Sequence, residues 1–165
     1  MSGNLAEAAL RFEHLVEVND PLNPLIDALT PNQIWQGLVL RVQEPTEFVL
    51  GLDEAVITAQ GDGWVERELR FGEARIHDRV TLEPHTRVTY TTPAADGHAG
   101  GSLTMTIETN ETTAAFIRFV YDTTLPNADE TGDTRYAEIV KSAYREADID
   151  TVRRIREIAA TGRLG

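Results

Sequence analysis

The chain has 165 residues, a formal net charge of −12 and no cysteine. Its length suits one domain spanning residues 1–165, large enough to hold a core without a metal or a disulfide. The acidic charge argues against nucleic acid and anionic membrane surfaces as partners, because both attract basic patches, and the lack of cysteine excludes thiol chemistry.

The start of the chain lacks the features of a secretory signal. Residues 1–12, MSGNLAEAALRF, contain no basic region followed by a continuous apolar stretch. No apolar run in the sequence approaches the roughly 18 residues of a membrane-spanning helix. We therefore expect a cytoplasmic protein without a membrane partner.

A strand and a short helix come first. Residues 10–18 alternate between apolar and polar side chains, which predicts a strand with one apolar face. After a proline-containing break, Thr30 is a candidate helix N-cap and Pro31 suits the first helical position. The helix ends before Pro45, and EPTEFVLGL at 44–52 predicts a second short helical turn. The apolar face of the strand carries Phe12, His14, Val16 and Val18.

Residues 54–123 predict an antiparallel meander of short strands, because apolar–polar segments alternate there with turn residues. The period then changes, and apolar residues recur every three or four positions over 134–161, which predicts one long amphipathic helix. Gly162 suits the position after its end. The turn signals lie at 61–63, 72–73, 83–86, 93–101 and 110–112. The apolar face of the helix comprises Tyr136, Ile139, Val140, Ala143, Tyr144, Ala147, Thr151, Ile155, Ile158 and Ala159.

This order of elements predicts an α+β fold. An antiparallel sheet of about seven strands has one apolar face to cover, and the long helix is the element able to cover it. A curved sheet wrapped around a helix leaves a space lined by the inner faces of the strands.

One hairpin places opposite charges inside an apolar row. With Gly72 and Glu73 as the turn, Arg67 lies opposite Asp78, and their neighbours on that face are apolar. Two interpretations stay open. The pair is either a salt bridge at the sheet rim, exposed to water and worth about 0–1 kcal/mol, or a polar pair that faces the space under the helix and orients a ligand. On the second interpretation, Arg67→Met weakens ligand binding more than it weakens folding.

Further residues join this candidate ligand site. His14 lies on an apolar face, but proton chemistry also needs a positioned partner, and the sequence alone does not bring His14 to Arg67 and Asp78. No catalytic residue is assigned. The candidate ligand-binding residues are Arg67, Asp78, His14, Leu69, Phe71, Ile76, Val80, Tyr90 and Tyr144.

Other chemistries lack their motifs. The histidines have no spacing typical of metal ligands, no serine stands in a nucleophile motif, and the glycines do not precede a helix as a phosphate loop does. We therefore expect no metal and no cofactor. The histidines are His14, His77, His85 and His98.

Several strings resemble one small family, the AtaL-like family, within the START-like superfamily (helix-grip fold, also called SRPBCC). The likeness covers most of the chain, and its most specific part is LTPNQIWQGLVLR at 29–41. At position 41, where that family often has Lys, this chain has Arg41. Supporting strings are HLVEVN at 14–19, PTEF at 45–48, RELRFG at 67–72 and RVTLEPHTRVTY at 79–90.

The resemblance implies a helix-grip fold with a cavity between the sheet and the C-terminal helix. Two functions share that cavity: binding of a hydrophobic small molecule, or a polyketide cyclase/dehydratase-like reaction with Arg67, Asp78 and His14 as acid–base groups. A third, a structural or partner-regulating module, needs no cavity. We expect a monomer or homodimer whose partner is a hydrophobic small molecule.

Overall fold

The computed structural model describes residues 9–95, 99–110 and 113–165. His98 and parts of the turns predicted at 93–101 and 110–112 lie outside these ranges. The elements are β1 (Ala9–Asn19), α1 (Pro31–Gln43), a 3-10 turn (Pro45–Glu47), β2 (Glu54–Gly61), β3 (Trp64–Phe71), β4 (Ala74–Glu83), β5 (Arg87–Thr92), β6 (Gly101–Thr109), β7 (Ala115–Pro126) and α2 (Arg135–Ala160).

The seven strands form one antiparallel sheet in the order β1-β7-β6-β5-β4-β3-β2. Strands β2 to β7 are a meander of sequential neighbours, and β1 pairs with β7 at the far edge. The predicted α+β class, the sheet of about seven strands and the long C-terminal helix are confirmed.

Helix α1 begins with the predicted cap. Thr30 Oγ1 accepts from the Gln33 amide at 3.0 Å, and Gln33 Oε1 accepts from the Thr30 amide at 2.9 Å, which satisfies two amides at the helix start. Gly37 allows close packing on α2, because a Cβ at this position would lie 2.6 Å from Ile155 Cγ2. The buried residues of α1 are Ile34, Trp35, Gly37, Leu38 and Val42.

Helix α2 buries its apolar face mainly in its second half, and Ala137 is the buried residue of its first half. Tyr136 and Ile139 are 62% and 67% exposed, so the prediction that the whole apolar row covers the sheet is wrong for the first half of the helix. Helix α1 shares the covering role, which the sequence interpretation gave to the long helix alone. Part of the inner sheet face near Tyr144 is therefore left open. The buried residues of α2 are Ala137, Asp148, Thr151, Val152, Ile155 and Ile158.

The core lies between the inner sheet face and the buried faces of the two helices. Each fully buried large apolar side chain contributes roughly 1.5–3 kcal/mol relative to exposure, so this layer holds the helices on the sheet. The core includes Leu38, Val80, Val88, Met105, Ile117, Phe119, Ile155 and Ile158.

Within the described ranges, neither helix combines the length and the apolarity that crossing a membrane requires.

Candidate functional site

A pocket of about 410 Å³ opens between the inner sheet face, the end of α1 and the first half of α2. Strands β3 and β4 give it an apolar wall of Leu69, Phe71 and Ile76, and β6 adds Leu103. The short side chains of residues 99–102 form another part of the wall. The pocket therefore lies where α2 leaves the sheet uncovered.

The β3–β4 hairpin has the predicted register, with Arg67 opposite Asp78 and Leu69 opposite Ile76. Arg67 Nε and Nη2 donate to the two Asp78 carboxylate oxygens at 2.9 and 2.6 Å. Arg67 Nη1 donates to the Val42 carbonyl at 2.9 Å. Arg67 is 4% exposed and Asp78 is 7% exposed. The interpretation as an exposed rim salt bridge is therefore wrong, because the pair is buried under the end of α1.

The candidate residues divide into a group on the pocket wall and a group behind it. Asp78 is held behind Arg67, because both of its oxygens accept from that guanidinium. Val80 is fully buried in the core, and His14 lies on β1, hydrogen-bonded to α2. Their role in ligand binding stays a prediction. The candidates on the wall are Arg67, Leu69, Phe71, Ile76, Tyr90 and Tyr144.

A buried carboxylate on α2 joins two side chains of the sheet edge. Asp148 Oδ2 lies 3.1 Å from His14 Nδ1, and Asp148 Oδ1 accepts from the Tyr121 hydroxyl. The Tyr121 ring stacks on Tyr144, with centroids 3.9 Å and planes 5° apart, and both rings line the pocket. The histidine that the sequence left unpaired is thus bonded to Asp148 rather than to Asp78, in a chain of groups that ends at the pocket wall.

Burial is the main cause of the raised pKa values in this cluster. It raises the pKa of Asp148 to about 6, although the hydrogen bonds with Tyr121 and His14 act in the opposite direction. Burial, followed by the nearby Asp148 charge, also raises the pKa of Tyr121 above its ordinary value. Burial raises the pKa of Tyr144 as well. The Tyr121 hydroxyl therefore stays protonated at neutral pH and can donate to the carboxylate.

Sequence reasoning did not single out Asp148. It stands in the polar string READID at 145–150, which is typical of a solvent-facing helix. Its position could have indicated burial, because Asp148 follows Tyr144 by four residues and precedes Thr151 by three. Side chains at these spacings share one helix face, and this face was predicted to be buried.

A second arginine reaches the pocket from the last turn of α1. Arg41 lines the pocket, and its Nε donates to Thr151 Oγ1 at 3.3 Å. It forms no ion pair with any residue of the described ranges, whereas Arg67 is paired. The Arg41 charge lowers the pKa of Asp148, against the larger effect of burial. Its field therefore extends to the carboxylate cluster without a direct contact.

Tyr90 on β5 contacts both arginines. The central guanidinium carbons of Arg41 and Arg67 lie 5.1 and 5.3 Å from the centroid of its ring, within the range of a cation–π contact. The Tyr90 hydroxyl is buried and has no hydrogen-bond partner in the described part of the chain. The polar groups of this part of the wall are thus two cations and one hydroxyl with unused hydrogen-bonding capacity.

The described residues include no group of three or more histidine, aspartate or glutamate side chains that could hold a metal ion. The chemistry that the pocket offers is hydrogen bonding and positive charge beside an apolar wall. Such a combination can hold the apolar body of a molecule and orient one polar group of it.

A family model described as Acetylaranotin biosynthesis cluster protein L, AtaL, matches residues 16–162. No curated protein shows significant sequence similarity to the chain.

Solved structures share the fold at low sequence identity. The Zhui aromatase/cyclase from Streptomyces sp. R1128 has a TM-score of 0.65 and 14% identity, covering 91% of this chain and 93% of its own. The di-domain ARO/CYC StfQ from the steffimycin biosynthetic pathway has a TM-score of 0.64 and 12% identity, covering 94% of this chain and 53% of its own. Human STARD10 has a TM-score of 0.59 and 8% identity, covering 91% of this chain and 64% of its own. These likenesses show the START-like helix-grip fold.

Proposed function

The chain belongs to the AtaL family, and on this premise we propose that it binds a hydrophobic small molecule in the pocket between the sheet and the helices. The carrying observation is an apolar wall beside inward-facing arginines. Leu69, Phe71, Ile76 and Leu103 can pack against the apolar body of a ligand. The volume of about 410 Å³ lies within the usual range for small-molecule sites.

In this proposal Arg67 orients a polar group of the ligand from the wall, and Asp78 holds Arg67 in place. Three of the five N–H groups of Arg67 are used by Asp78 and Val42, which leaves two for a ligand. Tyr121 and Tyr144 offer a stacked aromatic surface at the other side. A cytoplasmic location and a monomeric or homodimeric state stay predictions.

A second candidate function is a polyketide cyclase or dehydratase. The fold neighbours named as aromatase/cyclases favour it, and so does the chain of groups from His14 through Asp148 to Tyr121 at the pocket wall. Aldol cyclisation moves a proton from a carbon beside a carbonyl to the attacked carbonyl oxygen, so acid–base groups at the wall are required. Arg67 would hold an enolate oxygen, and the His14 cluster would take the acid–base role for which Asp78 is too enclosed.

The binding proposal is tested by filling the pocket. We expect Leu103→Trp to weaken binding of the neutral fluorescent probe N-phenyl-1-naphthylamine by about tenfold or more, because the added ring occupies the space and overlap is costly. Leu15→Trp is the matched control, since Leu15 is 42% exposed and does not line the pocket. Equal probe binding by both variants would contradict the proposal.

The two functions are separated by turnover. A short linear β-polyketone thioester would be incubated with the wild type and with Tyr121→Phe, and products would be followed by liquid chromatography and mass spectrometry. Cyclised product that forms faster with the wild type than with Tyr121→Phe supports the enzyme. Binding of the thioester without any cyclised product supports a binding protein.

A further inference from the structure

The two arginines of the pocket differ in what they contact. Arg67 donates to both oxygens of Asp78 and to the Val42 carbonyl. Among the described hydrogen bonds, Arg41 makes one, from its Nε to the neutral Thr151 hydroxyl at 3.3 Å. It has no ion pair within the described ranges, whereas Arg67 has one. The charge of Arg67 is therefore compensated by a direct contact, and that of Arg41 is not.

Tyr90 supplies a second, independent observation. It is 7% exposed, and its hydroxyl has no partner in the described part of the chain. An unpaired buried hydroxyl destabilises the fold, because it loses its hydrogen bonds to water. A phenylalanine would pack there without this cost, so folding does not account for the hydroxyl. The ring lies against the Arg41 guanidinium, which places hydroxyl and cation in one part of the pocket wall.

The described part of the pocket wall also carries no negatively charged side chain. None of its described lining residues is an aspartate or a glutamate, although the chain as a whole has a net charge of −12. The two buried carboxylates beside the site, Asp78 and Asp148, accept hydrogen bonds from Arg67 and Tyr121 respectively. The wall thus favours a negatively charged ligand group over a positively charged one.

We infer that Arg41 and the Tyr90 hydroxyl form an anion subsite that takes the carboxylate of an apolar acid whose body packs on Leu69, Phe71 and Leu103. This inference rests on the proposed binding function and names its ligand class. The planar guanidinium matches a carboxylate, with two N–H groups for two oxygens, and the hydroxyl donates a third hydrogen bond. Arg67 keeps Asp78 as its partner and supports the Tyr90 ring, and its two remaining N–H groups are left for a second polar group of the ligand.

The test compares an acid with its neutral ester in the purified full chain. The probes are 2-naphthoate and methyl 2-naphthoate, with binding followed by their fluorescence. The wild type should prefer the acid. Arg41→Gln should weaken acid binding by about tenfold or more, as expected for loss of a hydrogen bond to a charged group, while ester binding stays the same. Tyr90→Phe should act in the same direction by a smaller factor, and Arg41→Lys should restore part of the loss.

Arg79→Gln is the matched control, because Arg79 also stacks on an aromatic ring, that of Trp64, but does not line the pocket. This variant should bind the acid as the wild type does. If Arg41→Gln does not fold, Tyr90→Phe decides, since it removes one atom that has no described partner.

Each outcome separates the inference from the proposal beneath it. The anion subsite is wrong if the wild type binds acid and ester equally, or if Arg41→Gln and Tyr90→Phe both keep the wild-type affinity for the acid. Either result is still compatible with the hydrophobic site. Failure of both probes and of N-phenyl-1-naphthylamine to bind the wild type overturns both the inference and the binding proposal. Loss of ester binding in Arg41→Gln also contradicts the inference, because it would show a general change in the pocket.

Discussion

Arg67→Met is expected to destabilise the fold strongly. The substitution leaves the Asp78 carboxylate buried without the two hydrogen bonds, at 2.9 and 2.6 Å, that it accepts from Arg67. The Val42 carbonyl also loses the hydrogen bond that it accepts from Arg67. Because both members of the pair are less than 10% exposed, removing one partner leaves an uncompensated buried charge. Such a change costs about 3–5 kcal/mol. This expectation replaces the sequence-based one, in which stability changed less than binding.

The measurement is urea denaturation at neutral pH, read as the free energy of unfolding. The double variant Arg67→Met/Asp78→Leu should recover most of the loss, since it removes the stranded charge together with its partner. Arg79→Gln, on a half-exposed ion pair with Glu66, should change the free energy by less than about 1 kcal/mol. The reasoning fails if Arg67→Met costs less than about 1 kcal/mol, or if the double variant is no more stable than the single one.

Three other substitutions test the burial of Asp148, the unpaired Tyr90 hydroxyl and the close helix packing at Gly37. Burial raises the pKa of Asp148 from 3.8 to about 6. Between these pH values the folded chain keeps a proton on Asp148 that the unfolded chain has released. The contribution of Asp148 to the free energy of unfolding therefore falls as pH rises from about 3.8 to about 6. Asp148→Asn should remove this fall and be more stable than the wild type at pH above 6, by up to about 3 kcal/mol; equal pH profiles of unfolding would contradict this. Tyr90→Phe should leave stability equal or raise it by about 1–2 kcal/mol, since the lost hydroxyl has no described partner; a lower midpoint in thermal denaturation would show a missed partner. Gly37→Ala should destabilise despite the better helix propensity of alanine, because its Cβ would lie 2.6 Å from Ile155 Cγ2; the same substitution in an Ile155→Ala background should be neutral or stabilising in urea denaturation.

The fold was predictable because its signals are local. Alternation along β1 and the meander, the Thr30–Pro31 helix start and the change of period before α2 each depend on neighbouring residues. The register of the β3–β4 hairpin followed from its two-residue turn, because the turn determines which residues face each other. The part that failed was the first half of α2, where Tyr136 and Ile139 fit the helical period but remain exposed. Periodicity shows which residues share a face, but not whether another element covers that face.

The site was predictable only along the hairpin. Arg67 stood out because a charge in an apolar row is a local anomaly. The contact of Arg67 with Val42 and that of Asp148 with His14 join residues far apart in the chain, and no local pattern reports such distances. Arg41 was noticed for its charge but not as part of a pocket, since the approach of α1 to β5 is a tertiary contact.

The anion subsite and the Asp148 cluster should be coupled through charge. Asp148 is faced by His14 from β1, Tyr121 from β7 and the Arg41 field from α1, and that field lowers its pKa. A ligand carboxylate on Arg41 would offset this field and raise the Asp148 pKa above about 6, so acid binding would take up protons. By linkage, the affinity for 2-naphthoate should increase as pH falls from about 7.5 to about 5.5, by up to about tenfold for each pKa unit gained.

Fluorescence titrations across this range measure the effect, and Asp148→Asn should abolish it. Methyl 2-naphthoate should bind with no such pH dependence, because it carries no charge to offset the Arg41 field. A wild-type affinity for 2-naphthoate that stays constant across the range would show that Arg41 and Asp148 act independently. A pH dependence that persists in Asp148→Asn would show that a group other than Asp148 takes up the proton.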